Sequence, residues 1–207
     1  MSKLQKDNYA GLGSGPDVFS DQVWEKRGGL ARLESPWVTI LAERWRDNNG
    51  CDLDYWRVER PDSVIVLPVY RAQLIMPPPS YRPGIGRVTW DFPGGRKQPN
   101  IAVLETAKNI LQKELGIHQS AVQRVEPVND RGWPVDSSFS SQRLWGVVAH
   151  VADDVELKRE FLGCSIPCQG RSIMHLMREI DCLQCRMVLV EWWLNKSQGF
   201  RDEGDTS

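Results

Sequence analysis

The sequence predicts an α+β protein, and three stretches carry that prediction. Residues 81–117, YRPGIGRVTWDFPGGRKQPNIAVLETAKNILQKELGI, read as strand, glycine loop and helix. Residues 63–70, SVIVLPVY, form a continuous apolar run suited to a strand buried on both faces. In the last third, Ser172–Ile180 and Leu183–Leu194 space their apolar residues at mixed intervals of three and four, a helical period.

Taken in order, residues 1–20 contain Gly11, Gly13, Gly15 and Pro16 and predict a flexible tail. Residues 24–33 read either as a short helix or as a loop broken by Gly28 and Gly29. Trp37–Trp45 and Asp54–Val58 predict two strands, and Asp47-Asn48-Asn49-Gly50 between them is a hairpin-turn signal. Gln73–Met76 is a short partner strand, ended by Pro77-Pro78-Pro79.

Arg87–Phe92 places apolar residues at 88, 90 and 92, the period of a half-buried strand. Pro93-Gly94-Gly95 must end it. Two glycines let the backbone approach a ligand and turn N–H groups toward an anion, though an ordinary turn uses the same residues. Asn100 is placed to cap a helix from about Ile101, and Gly116 to end it. Val103, Leu104, Ala107, Leu111 and Leu115 fall on one stripe of that helix. Ile110, Lys113 and Glu114 share an edge directed back at the glycine loop.

Val122–Val128 and Leu144–Val151 predict two more strands, with a loop at Asn129–Pro134 and a serine-rich segment at 137–141 between them. Met187, Leu189, Val190, Trp193 and Leu194 are expected on the sheet. Residues 197–207 are polar and predict a second tail. This makes one domain over 21–196, with N-terminal strands at about 37–59 and a core at about 60–196.

Composition narrows the function. The 207 residues suffice for one domain with a substantial core. Apolar residues at 41% and charged residues at 26% are ordinary for a globular chain. A net charge of −1 argues against a nucleic-acid-binding surface as the main business. No apolar run reaches membrane-spanning length, and the first residues lack an apolar signal core. The expectation is a cytoplasmic protein that binds neither membrane nor nucleic acid.

Residues 81–117 resemble the Nudix box, G-x5-E-x7-R-E-U-x-E-E-x-G-U, where U is aliphatic. With Gly95 as the first glycine and Gly116 as the last, the spacing holds without a gap. Leu111 and Ile117 match aliphatic positions, and Glu114 matches the last glutamate. The lead-in YRPGIGRVTWDFPGG is similar to that of ADP-ribose-pyrophosphatase-type members. The departures are equally specific. Ile101 stands in the place of the first glutamate, Asn109 in that of the arginine, and Ile110 and Lys113 in two acidic positions.

The resemblance implies a Nudix-type α/β/α sandwich with a mixed central sheet, an added N-terminal antiparallel strand layer and a homodimer formed through it. It implies a nucleotide-type small molecule as ligand. It also implies Mg²⁺ or Mn²⁺ chemistry at Glu114, as catalytic and metal-binding residue, if hydrolysis is retained. Hard cations need several oxygen ligands, so one carboxylate beside Lys113 argues for hydrolysis weak or lost. Acids outside the box, such as Asp153, Asp154 and Glu156, are the alternative source of a base.

The candidate ligand contacts are Arg82, Trp90, Gly94, Gly95, Arg96 and Lys113. A guanidinium at 82 suits a phosphate through forked hydrogen bonds, and equally suits a structural ion pair. Trp90 suits a base pocket or the core. Lys113 is a fixed positive charge where the family places a metal ligand. His150 and His118 read as structural or surface residues. The five cysteines do not form a secreted disulfide framework. Cys164, Cys168, Cys182 and Cys185 have a spacing that admits a tetrahedral zinc site, and with it a zinc-bearing interaction module; free buried thiols are the plainer reading.

Overall fold

The computed structural model describes residues 23–202, with side chains described through Ser197. The tail expected at 1–20 lies outside the described residues, as do residues 203–207 of the second tail; residues 197–202 continue a helix. The chain divides into two compact units, Met1–Glu59 and Arg60–Ser207.

In the first unit, β1 (Glu25–Glu34), β2 (Thr39–Arg46) and β3 (Asp52–Glu59) form an antiparallel sheet in the order β1-β2-β3. The strand at β1 corrects the helix-or-loop reading of residues 24–33. Gly28 and Gly29 sit between two register irregularities and bend the strand without ending it. The β2–β3 turn is the expected one: Asp47 Oδ1 accepts the N–H groups of Asn49 and Cys51 at 2.9 and 2.8 Å. Within the sheet Glu43 is buried, and it takes Lys26 and Arg57 as partners, Arg57 at 2.8 Å. The Arg57 hydrogen bond, with Lys26 beside it, holds the Glu43 carboxyl at about 2.

The second unit has a seven-stranded mixed sheet. Its central path is β10 (Trp133–Pro134), β11 (Arg143–Val151), β4 (Ser63–Tyr70), β5 (Gln73–Met76) and β12 (Cys164–Pro167). β8 (Gly94–Arg96) pairs with β4, and β9 (Val122–Pro127) with β11. β11 and β4 run parallel; the other pairings are antiparallel. β6 (Ser80–Arg82) and β7 (Arg87–Thr89) form a separate ribbon.

Alternation along β4 puts two cores on opposite faces of the sheet. Val64 and Val66 join Ala107, Ile110, Leu111 and Leu115 of α1 (Val103–Leu115). Ile65 and Leu67 join Ile173 and Leu176 of α2 (Gly170–Glu179) and Val188 and Leu189 of α3 (Leu183–Asp202). Helices therefore cover both faces.

Several local expectations change. The expected 87–92 strand ends at Thr89. Gly94 and Gly95 do not merely turn the chain; they pair with Ile65 and Val64 of β4. The helix begins after Ala102, not Asn100, and Ala102 supplies no side-chain cap. Gly116 does end it, in the left-handed region at φ 64°. Leu104, expected in the core, is exposed, as are Met187 and Leu194. The β4–β5 turn is made by Arg71 and Ala72, both left-handed at φ 47° and 57°. Asp153 braces it: its carboxylate accepts the Arg71 backbone N–H at 3.2 Å, and its carbonyl accepts the Arg71 guanidinium at 2.6 Å. Among the described residues no helix is long and apolar enough to cross a membrane.

Candidate functional site

A cleft of about 620 Å³ opens in the second unit beside the glycine strand β8. Gly94 and Gly95 form part of its wall because β8 is held against β4 and α1. The fit to α1 is close: a Cβ on Gly95 would stand 3.2 Å from Ile110 Cγ1. The Gly94 N–H donates to Glu114 Oε2 at 3.3 Å. Burial raises the Glu114 pKa, opposed by that hydrogen bond and by Lys113.

The expected edge of Ile110, Lys113 and Glu114 thus does reach the glycine segment. Lys113, however, lines a smaller recess of about 190 Å³, with Asn109, Ile110 and Ile101, rather than the main cleft. Glu114, Gly94, Gly95 and Arg96 border both spaces.

Arg82 and Arg96 line the cleft, and Arg60 joins them. Arg82 is also engaged in the protein: its Nε donates to Asp91 Oδ2 at 2.5 Å. Trp90 does not line the cleft; it is half-buried against the core cluster that includes α2 and α3. Two cleft residues were silent in the sequence. Asp91 Oδ1 and Gln142 Oε1 are buried with no hydrogen-bond partner, and among the described residues no other buried side-chain oxygen or nitrogen is in that condition. The Gln142 amide nitrogen is used, donating to Pro61 O at 3.1 Å. Buried polar atoms are almost always paired, so two orphaned acceptors lining one cleft mark a place where a donor or cation belongs.

The cysteines divide. Cys182 and Cys185 lie at the start of α3 and line the cleft, where their sulfurs and an Asp91 oxygen all stand within 4.8 Å of one another. Cys164 and Cys168 belong to β12 and the residue after it, packed against the core, and are not in that group. A four-cysteine site is therefore not assembled, because β12 lies at the sheet edge beyond β5. A hydrogen bond from Cys185 holds the Cys182 thiol down at about 6, and the same bond together with burial pushes Cys185 well up.

Mg²⁺ or Mn²⁺ does not fit the residues around Glu114. Among α1 carboxylates only Glu114 lines the cleft, its oxygen accepts from Gly94, and Lys113 is its neighbour. No group of three ligating side chains among the described residues includes it, so water and ligand oxygens would have to supply nearly all of a hard cation's shell. Asp153, Asp154 and Glu156 do not line the cleft. His150 stands elsewhere, between Arg124 at 3.0 Å and Glu126 at 3.5 Å, and burial lowers its pKa. His118 is exposed and caps a 3-10 turn.

An apolar groove of about 530 Å³ adjoins the cleft through shared Cys182, Leu183 and Gln184. Trp133, Val135, Leu144 and Met187 line it. No sequence signal marked these residues as a unit.

No family model and no curated protein matches the chain. Solved structures do, 170 chains in all. One is an ADP compounds hydrolase, with a TM-score of 0.69 at 22% identity, over 86% of this chain and 97% of the other. The fold is of the Nudix type. That likeness spans nearly the full length of the hydrolase.

Proposed function

We propose that the cleft binds a nucleoside-diphosphate-linked small molecule and that hydrolysis of it is weak or lost. The observation that carries this reading is the composition of one cleft. Gly94 and Gly95 present backbone, while Arg60, Arg82 and Arg96 supply guanidinium groups suited to phosphate. The adjoining groove, with Trp133, Leu144 and Met187, has the apolar character that a base ring needs. The single α1 carboxylate at the cleft supports the second half of the proposal.

Calorimetry with ADP-ribose and related nucleotides, with and without Mg²⁺, tests it. Saturable binding is expected, weakened about tenfold or more by Trp133→Ala. No binding by any of them overturns the reading. Turnover over a panel of dinucleotides and nucleotide sugars with Mg²⁺ or Mn²⁺ should be slow; brisk turnover abolished by Glu114→Gln would instead establish an active pyrophosphohydrolase.

A homodimer through the N-terminal sheet is the second part of the proposal. The strand register places Leu33, Ile40, Val58, Ala42 and Trp56 on one sheet face. Leu33 and Trp56 there are exposed, at 66% and 58%. Large exposed apolar side chains on a sheet favour association. Sedimentation at micromolar concentration should give twice the chain mass, and Trp56→Lys should halve it.

A further inference from the structure

We infer that Asp91, Cys182 and Cys185 form a zinc site with one coordination position open to the cleft. The three side chains come from separate parts of the chain, and the fold holds them together. Asp91 lies two residues past β7, and Cys182 directly precedes α3. Arg87 of β7 pairs with Asp181 at 2.6 Å, tying the first segment to the second beside the proposed ligands. Their ligating atoms lie within 4.8 Å of one another. Ligands of a tetrahedral zinc ion with sulfur at about 2.3 Å stand about 3.8 Å apart. Side-chain torsions alone can cover that difference.

The surroundings suit thiolates around a cation. Cys182 directly precedes α3 and Cys185 lies in its first turn, where the helix N-terminus favours negative charge on sulfur. On the carboxylate, Arg82 and Thr89 occupy Oδ2, at 2.5 and 3.4 Å, and leave Oδ1 buried and unpartnered. Asp91 is only 11% exposed in its side chain. Arg82 is the carboxylate's positive partner, yet the bare Oδ1 beside two sulfurs still lacks a donor or cation, and a buried acceptor left so is costly. Two thiolates, one carboxylate and Arg82 balance a divalent ion, and both sulfurs must be deprotonated to bind it. Two sulfurs and one oxygen select zinc over magnesium or manganese. The fourth position would face the space shared with Gly94, Gly95 and Arg96.

The test uses the full chain and metal alone, so its outcome is independent of nucleotide binding. Protein stripped by chelator under reducing conditions is dialysed against Zn²⁺, and bound metal is counted by mass spectrometry. One equivalent per chain is expected. Cobalt substitution should give tetrahedral visible bands and a charge-transfer band with the intensity of two thiolates. Asp91→Asn and Cys182→Ser should each lower zinc affinity about tenfold or more, while Cys164→Ser and Cys168→Ser leave it unchanged. Less than a tenth of an equivalent bound overturns the proposal. So does a four-thiolate cobalt spectrum, equal loss in the Cys164 and Cys168 variants, or a Cys182–Cys185 disulfide that forms in place of metal binding. The wild-type cobalt spectrum decides the ligand count even if a variant fails to fold.

Discussion

Arg82 gives its Nε proton to one oxygen of Asp91 at 2.5 Å and leaves the other oxygen without a partner. The residue expected to hold a phosphate thus also sets the orientation of a buried carboxylate. Arg82→Ala should destabilise the fold by about 1 kcal/mol, a small cost because the Arg82 side chain is half exposed. In an Asp91→Asn background the same change should cost less. Chemical denaturation of the four proteins measures the coupling.

The paired thiols should differ in reactivity. With chelator present, iodoacetamide at neutral pH should modify Cys182 well before Cys185, because the Cys182 thiol is held at about 6 and Cys185 is raised and buried. Peptide mapping after limited labelling gives the order. Saturating zinc should slow the Cys182 reaction.

In the N-terminal sheet, Glu43 titrates at about 2 when folded, against an ordinary 4.5. The folded chain favours the ionised form, so this contribution is complete above about pH 5 and drains away as pH falls through 4.5 toward 2. Glu43→Gln should cost about 1–3 kcal/mol at neutral pH and flatten that acid dependence. Denaturant titrations at several pH values, followed by tryptophan fluorescence, show both effects.

Glu114 has the opposite sign. Burial raises its pKa, so ionisation costs stability as pH rises above its ordinary value of 4.5. Glu114→Gln should leave neutral-pH stability unchanged or slightly higher, by up to about 1 kcal/mol. Thermal melts of the variant and wild type at pH 7 check this.

Gly116→Ala should be strongly destabilising, by about 1–3 kcal/mol. Its φ of 64° disfavours any side chain, and a Cβ there would come within 2.8 Å of the Phe161 ring. Equilibrium unfolding provides the value.

Much of the fold could be read locally. The apolar run at 63–70 needed no partner to announce β4, and Gly116 announced the end of α1. β1 could not be read that way. Gly28 and Gly29 erase its period, and only pairing with β2 makes it a strand. Leu104 fits the helical stripe by angle, yet it stays exposed. The candidate site was half legible. Glycines, Arg82, Arg96 and Glu114 share one stretch of sequence, and the structure puts them along one cleft. Asp91 meets Cys182 and Cys185 only through tertiary structure, and Gln142 arrives from the start of another strand, so neither left a local pattern.

The brace between Asp153 and the Arg71–Ala72 turn has a practical bearing on any hunt for a general base. Two non-glycine residues there keep a backbone shape that their side chains disfavour, and Asp153 grips the first of them twice. Truncating the residue 153 side chain removes the acceptor of the Arg71 N–H, while the backbone carbonyl keeps its hold on the guanidinium. A rate lost in such a variant reports idle chemistry only after the surviving protein is shown to be folded.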